Sequence, residues 1–446
     1  MKYSDYINFD NYLPNINFNQ IIDETTEEGI QNYYSLLKNE YLQALLKKND
    51  PEETFQEDWN DHHCYNNCEV ICKVTNFCNQ NCIYCFDKKN QQKPRMVLSK
   101  ERILKLLRLL KEEGYSKIEW TWHGGECLTV NQKWFDDVCL EMYKYAIKED
   151  IELIFNAQSN GTLLTDKWKY LLDKYNIPIG TSYDWSGQQC RGYELSQEEL
   201  SNFYHIISVI TKQNVKNLIS DFKKASNNGI PFSFNVVFGT ANNPLENFLN
   251  IDEFIQEYKK YLDFFIYYDN PKVPERSALA YICRALNRPA EICNLDNCLY
   301  SNRICINADG ELYRCDDISI EEMHICNIDE LNSIKEFFKG EQSLKLQQLK
   351  QTQIQNQCLN CDYLPVCGQG CLNCSLKESK GLKPYSAQCK FWKVIVPYIY
   401  DKLGNLTPKE FVKLNPTLKQ YLIQQLYMPA YLKEELQKDY VKYSNI

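Results

Sequence analysis

No stretch of this chain stays apolar for the roughly 20 residues that a bilayer crossing takes, and the opening MKYSDYINFD has no apolar run of the signal-peptide kind. No membrane association is expected, and a cytoplasmic location is. A basic excess is missing too. The 446 residues carry 50 Lys and Arg against 59 Asp and Glu, a formal net charge of -9. Nucleic-acid binding needs clustered cations to neutralise phosphates, so no nucleic-acid partner is expected. The chain shows no internal repeat and no long low-complexity tract.

Cysteine, by contrast, is abundant, with 21 in the chain. In a reducing compartment such thiols serve metals or catalysis rather than disulfides. A chain of this length, 44% hydrophobic, has core enough to fold without staples.

The pattern divides into four parts. Residues 1–66 are polar and read as a mostly helical extension, with one helix expected over Gly29–Lys48. From 67 to 285, strand-like and helix-like runs alternate. Strands are expected at Glu69–Thr75, Lys117–Trp122, Ile151–Gln158, Ile179–Ser182, Ile206–Ile210 and Phe232–Phe238. Helices are expected at Leu98–Gly114, Val130–Ile147, Thr165–Lys174 and Val215–Asn228. Repeated βα units give an α/β fold with a parallel sheet, an open or closed barrel, whose working groups sit after the strands' C-terminal ends. Residues 286–395 hold eleven cysteines on short strands and loops, and Asp309-Gly310 signals a hairpin. Residues 396–446 read as helix again.

The chemistry-bearing motifs fall at those strand ends. Cys78-x3-Cys82-x2-Cys85 puts three thiols on one loop after the first strand. Three thiolates on a four-iron cluster leave one iron open for a substrate or cofactor. A zinc site is the alternative, with His62 or Cys72 as fourth ligand, though zinc favours CxxC pairs. Cys68, Val70, Cys72 and Val74 alternate as one buried strand face does, so His62-His63-Cys64 with Cys68 and Cys72 is read as strand rather than ligand set. After the second strand comes Trp122-His123-Gly124-Gly125-Glu126, whose glycines permit close backbone approach to a ligand. Ser159-Asn160-Gly161-Thr162 and Ser182-Tyr183-Asp184 follow the next two strands; turn or cap roles explain them equally well. Arg191 reads as an exposed charge, with contact to a ligand carboxylate or a substrate as the alternative.

CNQNCIYCF resembles the loop of the radical S-adenosylmethionine (SAM) superfamily, whose fold is a partial (β/α)6 TIM-like barrel. That resemblance implies Cys78, Cys82 and Cys85 as ligands of the reactive [4Fe-4S] cluster, Tyr84 beside the adenine, Gly124, Gly125 and Glu126 at the SAM amino group, and Ser182 at the ribose. Cys127 stands where the family usually has Pro.

Cys358-x2-Cys361-x5-Cys367-x3-Cys371, then Cys389, with Cys293, Cys298 and Cys315 upstream, resembles the SPASM extension of sulfatase-maturating enzymes and peptide maturases. The resemblance implies two auxiliary [4Fe-4S] clusters, one on Cys293, Cys298, Cys315 and Cys371, the other on Cys358, Cys361, Cys367 and Cys389. Zinc ribbons remain open for the CxxC. Cys305 reads as core and competes with Cys298 as a ligand; Cys326 and Cys374 have no role. Asp316, after Cys315, matches a Cys-Asp pair whose acid serves as base. The implied activity is reductive SAM cleavage followed by hydrogen abstraction from a peptide or protein side chain, with a flavodoxin or ferredoxin as reductant. A thioether or carbon–carbon crosslink in a ribosomally made peptide is expected; formylglycine formation on a sulfatase is the alternative, and a non-enzymatic electron carrier the distant one.

Overall fold

The computed structural model describes residues 67–236, 249–286, 302–318, 321–358, 361–367, 370–379, 386–403 and a few positions from 410 to 421. The expected helix at Gly29–Lys48, together with His62, Cys293 and Cys298, lies outside the described residues.

Six parallel strands build the scaffold: β1 (Asn67–Lys73), β2 (Lys117–His123), β3 (Glu152–Ser159), β4 (Ile179–Ser182), β5 (His205–Ile210) and β6 (Phe232–Val236). Three more, β7 (Arg303–Ile306), β8 (Glu311–Tyr313) and β9 (His324–Asn327), extend the same sheet in the order β6-β5-β4-β3-β2-β1-β7-β8-β9. β7 pairs parallel to β1, with Ile71 opposite Cys305, and turns at Asp309-Gly310 into antiparallel β8. Cysteine-rich sequence thus continues the barrel sheet rather than forming a separate layer.

Alternation decides which side of each strand is dry. Cys68, Val70 and Cys72 on β1 and Ile118, Trp120 and Trp122 on β2 are buried, packed under helices. α1 (Lys100–Glu112), α2 (Gln132–Lys148) and α3 (Asp166–Lys174) supply that cover. Their starts follow from sequence: Ser99, Asn131 and Thr165 accept hydrogen bonds from first-turn amides, which satisfies otherwise orphaned donors. Trp122 meets Phe135 of α2 edge-on, ring centres 5.1 Å apart. The opposite strand face is polar, with Glu69, Lys73, Thr121, His123, Asn156, Gln158 and Ser182. Because Cys72 faces the helices, it does not join the thiols of the following loop.

α4 (Leu218–Asn228) starts later than the periodicity predicts, because Val215–Asn217 forms a separate 3-10 turn. It ends at Gly229, whose φ of +72° is costly for other residues. α5 (Ile251–Tyr267) and α6 (Arg276–Ala285) complete this side. Glu275 fastens α6 to β6: its buried carboxylate accepts from Ser277 N at 2.8 Å, Ala278 N at 2.7 Å, Phe234 N at 3.1 Å and Tyr261 Oη at 3.2 Å. Burial nevertheless raises its pKa to about 7. A carboxyl with a raised folded pKa contributes stability that is complete below the unfolded value, near 4.5, and is lost as pH rises through 7. Glu275→Gln removes that slope. Melting temperatures from pH 5 to 8 are expected to show the parent losing about 3 kcal/mol relative to the variant.

Candidate active site

The loop leaving β1 carries Cys78, Cys82 and Cys85, all partly exposed. Buried Asn76 braces its stem: its amide donates to Asn90 O at 3.1 Å and Pro94 O at 2.9 Å and accepts from Met96 N at 2.8 Å. Each thiol meets an amide. Cys78 Sγ accepts from Gln80 N at 3.4 Å and Asn160 Nδ2 at 3.8 Å, Cys85 Sγ accepts from Gln91 Nε2 at 3.5 Å, and Cys82 Sγ donates to Gln80 Oε1 at 3.7 Å. Burial pushes the Cys78 thiol up to about 11, and the nearby Glu126, Cys82 and Cys85 add to the rise.

Among the described residues, no three Cys, His, Asp or Glu side chains converge tightly enough for a single metal ion. A four-iron cluster asks for a wider set, one thiolate per iron at the corners of a cube. Three thiols on one short loop, close enough to feel each other's charge and contacted by N–H donors, fit that demand.

β2 delivers the next segment. Gly124 has φ of +147°, and a Cβ there would lie 2.5 Å from Thr75 O; a Cβ on Gly125 would lie 2.4 Å from Phe77 O. Gly125 N donates to Thr75 O at 2.8 Å and Glu126 N to Phe77 O at 2.9 Å. The close approach that these glycines permit is thus to the stem of the cysteine loop, one residue before Cys78. Gly125→Ala must displace backbone. It is expected to lower both bound iron and 5′-deoxyadenosine formation at least tenfold, measured on reconstituted protein.

Glu126 is buried. Its carboxylate accepts from Leu128 N at 2.9 Å, Ser159 Oγ at 2.8 Å and Asn160 N at 2.7 Å. Burial raises its pKa against these donors. Cys127, also buried, donates from Sγ to Gln158 O at 3.4 Å, a tether that Pro lacks. Asn160 reaches across to Asn79 Oδ1 at 2.9 Å, and Asn79 Nδ2 donates to Thr162 Oγ1 at 2.7 Å. The cysteine loop, the Gly-Gly-Glu turn and the Ser-Asn-Gly-Thr turn therefore meet in one network.

A second network holds Tyr84. Its hydroxyl donates to Asp184 Oδ2 in a short contact, Arg191 Nη1 donates to the same hydroxyl at 2.5 Å, and Arg191 and Asp184 pair at 3.7 Å. Ile83 N donates to Cys190 O at 3.0 Å, so the Trp185–Cys190 turn clamps the cysteine loop. Arg191 is 9% exposed, which corrects its reading as a surface charge. Burial works against its charge, yet Tyr84 and Asp184 outweigh that and raise its pKa. Ser182 stands apart from this network, accepting from Gln158 Nε2 at 3.1 Å.

Sequence reasoning passed over Lys73. It is 0% exposed and lies 3.4 Å from Asp87, two residues beyond Cys85. Burial opposes its charge, but Asp87, with Cys305 and Asp316 beyond it, raises its pKa. Its signal was a lone cation ending an apolar strand. Burial and the Lys73 charge together lower the pKa of His123, and Asp316 partly opposes them. Asp316 of the second array therefore shares an electrostatic neighbourhood with the end of β1.

In the second array, Cys305 is 0% exposed on β7, as the core reading expects. Cys315 Sγ accepts from Asn373 Nδ2 at 3.6 Å, two residues from Cys371. Cys361 N donates to Cys358 O at 2.8 Å, and Gly370 N to Cys367 O at 2.9 Å. A hydrogen bond with Cys374 lowers the Cys371 thiol to about 6, so the spare cysteine of the motif touches one of its members. These six cysteines share one lobe: α7 (Glu341–Gln357), α8 (Leu372–Ser379) and α9 (Ser386–Leu403) frame Cys358, Cys361, Cys367, Cys371 and Cys389, and Cys315 joins through Asn373.

The signature of the Radical SAM superfamily matches residues 72–255, the stretch that carries the cysteine loop and the strand ends around it. The chain carries a radical SAM domain. It is similar to a cysteine-type anaerobic sulfatase-maturating enzyme of Clostridium perfringens, 20% identical over 367 residues that span 76% of this chain and 97% of the relative. Its fold matches the solved structure of native anSMEcpe with bound AdoMet and Cp18Cys peptide at a TM-score of 0.59, with 17% identity, covering 76% of this chain and 98% of the other. It also matches Streptococcus suis SuiB at a TM-score of 0.50, with 15% identity, covering 84% and 92%. The Radical SAM match implies SAM and a [4Fe-4S] cluster, and the Cys78–Cys85 loop has the donor set for that cluster. Among the described residues no helix is long and apolar enough to cross a membrane.

Proposed function

We propose that this chain is a peptide maturase that installs a thioether or carbon–carbon crosslink in a ribosomally made peptide. Cys78, Cys82 and Cys85 would hold the cluster at the open strand ends, and with SAM bound it would supply the chemistry of reductive SAM cleavage. The chain's own groups then have assignable work. Asn160 and Asn79 fix the cysteine loop against the third strand, Tyr84 and Arg191 close its other side, and Glu126 and Ser182 would hold the SAM amino group and ribose. Asp316 takes the proton that the substrate gives up as it is oxidised.

The observation that carries the reading is the continuity of the sheet from β1 into β7 and β8. It sets Asp316 in the electrostatic field of Lys73 and His123, at the C-terminal ends of β1 and β2, which supports a role for it beside the substrate. A polar strand face from Glu69 to Ser182 suits an extended peptide, and a peptide is bound in the anSMEcpe structure. Auxiliary clusters on Cys293, Cys298, Cys315 and Cys371, and on Cys358, Cys361, Cys367 and Cys389, would accept the electron that the substrate radical loses, and a flavodoxin or ferredoxin would reduce the first cluster.

Formylglycine formation is the second reading, favoured by the Clostridium perfringens relative and by the Cys315-Asp316 pair. Cys127 in place of Pro points away from it. Co-expression with a candidate peptide and mass spectrometry separates them. Crosslinking removes a pair of hydrogens and leaves sulfur in place, whereas formylglycine formation from Cys exchanges the thiol for an aldehyde. Unmodified mass with every candidate peptide and sulfatase segment would count against both.

A further inference from the structure

Between the cysteines assigned to the two auxiliary clusters runs one peptide bond that two buried side chains grip from both ends. Gly370 and Cys371 share it. Lys350, on α7 and 1% exposed, donates from Nζ to Gly370 O at 2.5 Å. Gln388, 5% exposed and next to Cys389, accepts from Cys371 N through Oε1 at 3.1 Å. Gly370 is needed there: its φ is +70°, and a Cβ would lie 2.4 Å from Gln388 Oε1. Gly370 N in turn donates to Cys367 O at 2.9 Å. The gripped segment therefore joins Cys367 of one proposed cluster to Cys371 of the other, and Cys389 follows directly on Gln388.

We infer that Lys350 is a positioning residue of the auxiliary centres, which holds the Cys367–Cys371 crossover and sets a fixed positive charge beside both clusters, raising their reduction potentials. The inference rests on the twin-cluster reading above. A lysine charge carried inside the lobe is screened far less than one on the surface. Lys350 Nζ lies 2.5 Å from the carbonyl of Gly370, directly before Cys371, and the helix that carries it ends at Gln357, directly before Cys358, so it stands close in the fold to a ligand of each cluster. A cluster gains negative charge on reduction, so a nearby cation favours the reduced state, as charge and hydrogen bonding around the sulfurs do in general. Electrons leaving the substrate would then fall toward these centres.

The test uses the full chain with Cys78, Cys82 and Cys85 changed to Ala, reconstituted anaerobically, so that only auxiliary clusters contribute signal. Iron and zinc analysis comes first. About eight iron per chain is the expectation for two four-iron clusters; zinc, or no iron, sinks the twin-cluster reading itself and leaves nothing for Lys350 to tune. EPR-monitored redox titration then compares Lys350→Gln, which keeps a donor but no charge, with Lys350→Arg, which keeps both. Lys350→Gln is expected to shift the reduction equilibrium of at least one cluster at least tenfold toward the oxidised form, a drop of about 59 mV for one electron, while Lys350→Arg stays near the parent. Full iron with parental potentials in Lys350→Gln overturns the inference. If Lys350→Gln loads poorly, Lys350→Arg decides: full loading at the parental potential supports a charge requirement, and equal loss of iron overturns it.

Discussion

Replacing Cys82 with Ala is expected to remove about four iron per chain and to abolish 5′-deoxyadenosine formation. The reasoning is stoichiometric. The loop offers three thiols, and the nearby thiols among the described residues are turned elsewhere: Cys72 is buried on the helix side of β1, Cys127 is committed to Gln158 O, and Cys190 Sγ meets Thr211 Oγ1 at 4.0 Å. With two thiolates left, a four-iron cluster has two open corners and loses its hold on the protein. Fold stability is expected to change little, since the Cys82 side chain is partly exposed and only its weak thiol contact to Gln80 is lost. Iron analysis and chromatographic assay of 5′-deoxyadenosine on the same preparation check both halves. Product formed at the parental rate would falsify the ligand assignment.

Asp87→Ala is expected to be the most destabilising single change near the site. It leaves the Lys73 ammonium buried without its partner, a situation that costs about 3–5 kcal/mol and, in a chain of this length, lowers the melting temperature by roughly 3–5 °C. Beyond the pair itself, Lys73 Nζ meets only the Phe86 ring, 4.7 Å from its centroid, among the described residues, and neither it nor the Asp87 carboxylate oxygens make a further hydrogen bond there. Removing both charges together, with Lys73→Met and Asp87→Leu, is expected to recover most of the loss, as apolar replacement of buried pairs often does. A thermal double-mutant cycle measures the coupling. Additive losses would show that the two groups do not depend on each other. The change also reaches Cys85: burial raises its thiol pKa, the Asp87 carboxylate adds to the rise and Lys73 opposes it, while the backbone N–H of residue 87 remains in the Ala variant.

Much of the scaffold was legible because local rules agree. Cys68, Val70 and Cys72 alternate against Glu69, Ile71 and Lys73, and Ser99, Asn131 and Thr165 cap the helices that their positions announce. The Asp309-Gly310 turn was equally readable. What local pattern does not encode is pairing across long sequence distance. Nothing in Arg303–Ile306 says that it lies beside β1, and that pairing is what brings Asp316 toward Lys73. Arg191 was misplaced for a related reason. Charged side chains are rarely buried unless paired, and its partners Tyr84 and Asp184 arrive on other loops. The two glycines of the Gly-Gly-Glu turn were rightly read as a close approach, but the surface approached is backbone at Thr75 and Phe77. Lys350 gave no signal, since a lysine in a polar helix looks like any solvated one until Gly370 is seen folding back on it.

The account stands on the open strand ends of the barrel cleaving SAM. Incubating the anaerobically reconstituted, chemically reduced chain with SAM and quantifying 5′-deoxyadenosine tests this most directly. The account predicts that the nucleoside and methionine form together and only under reduction. SAM left intact by fully iron-loaded protein, whatever the reductant, would contradict it.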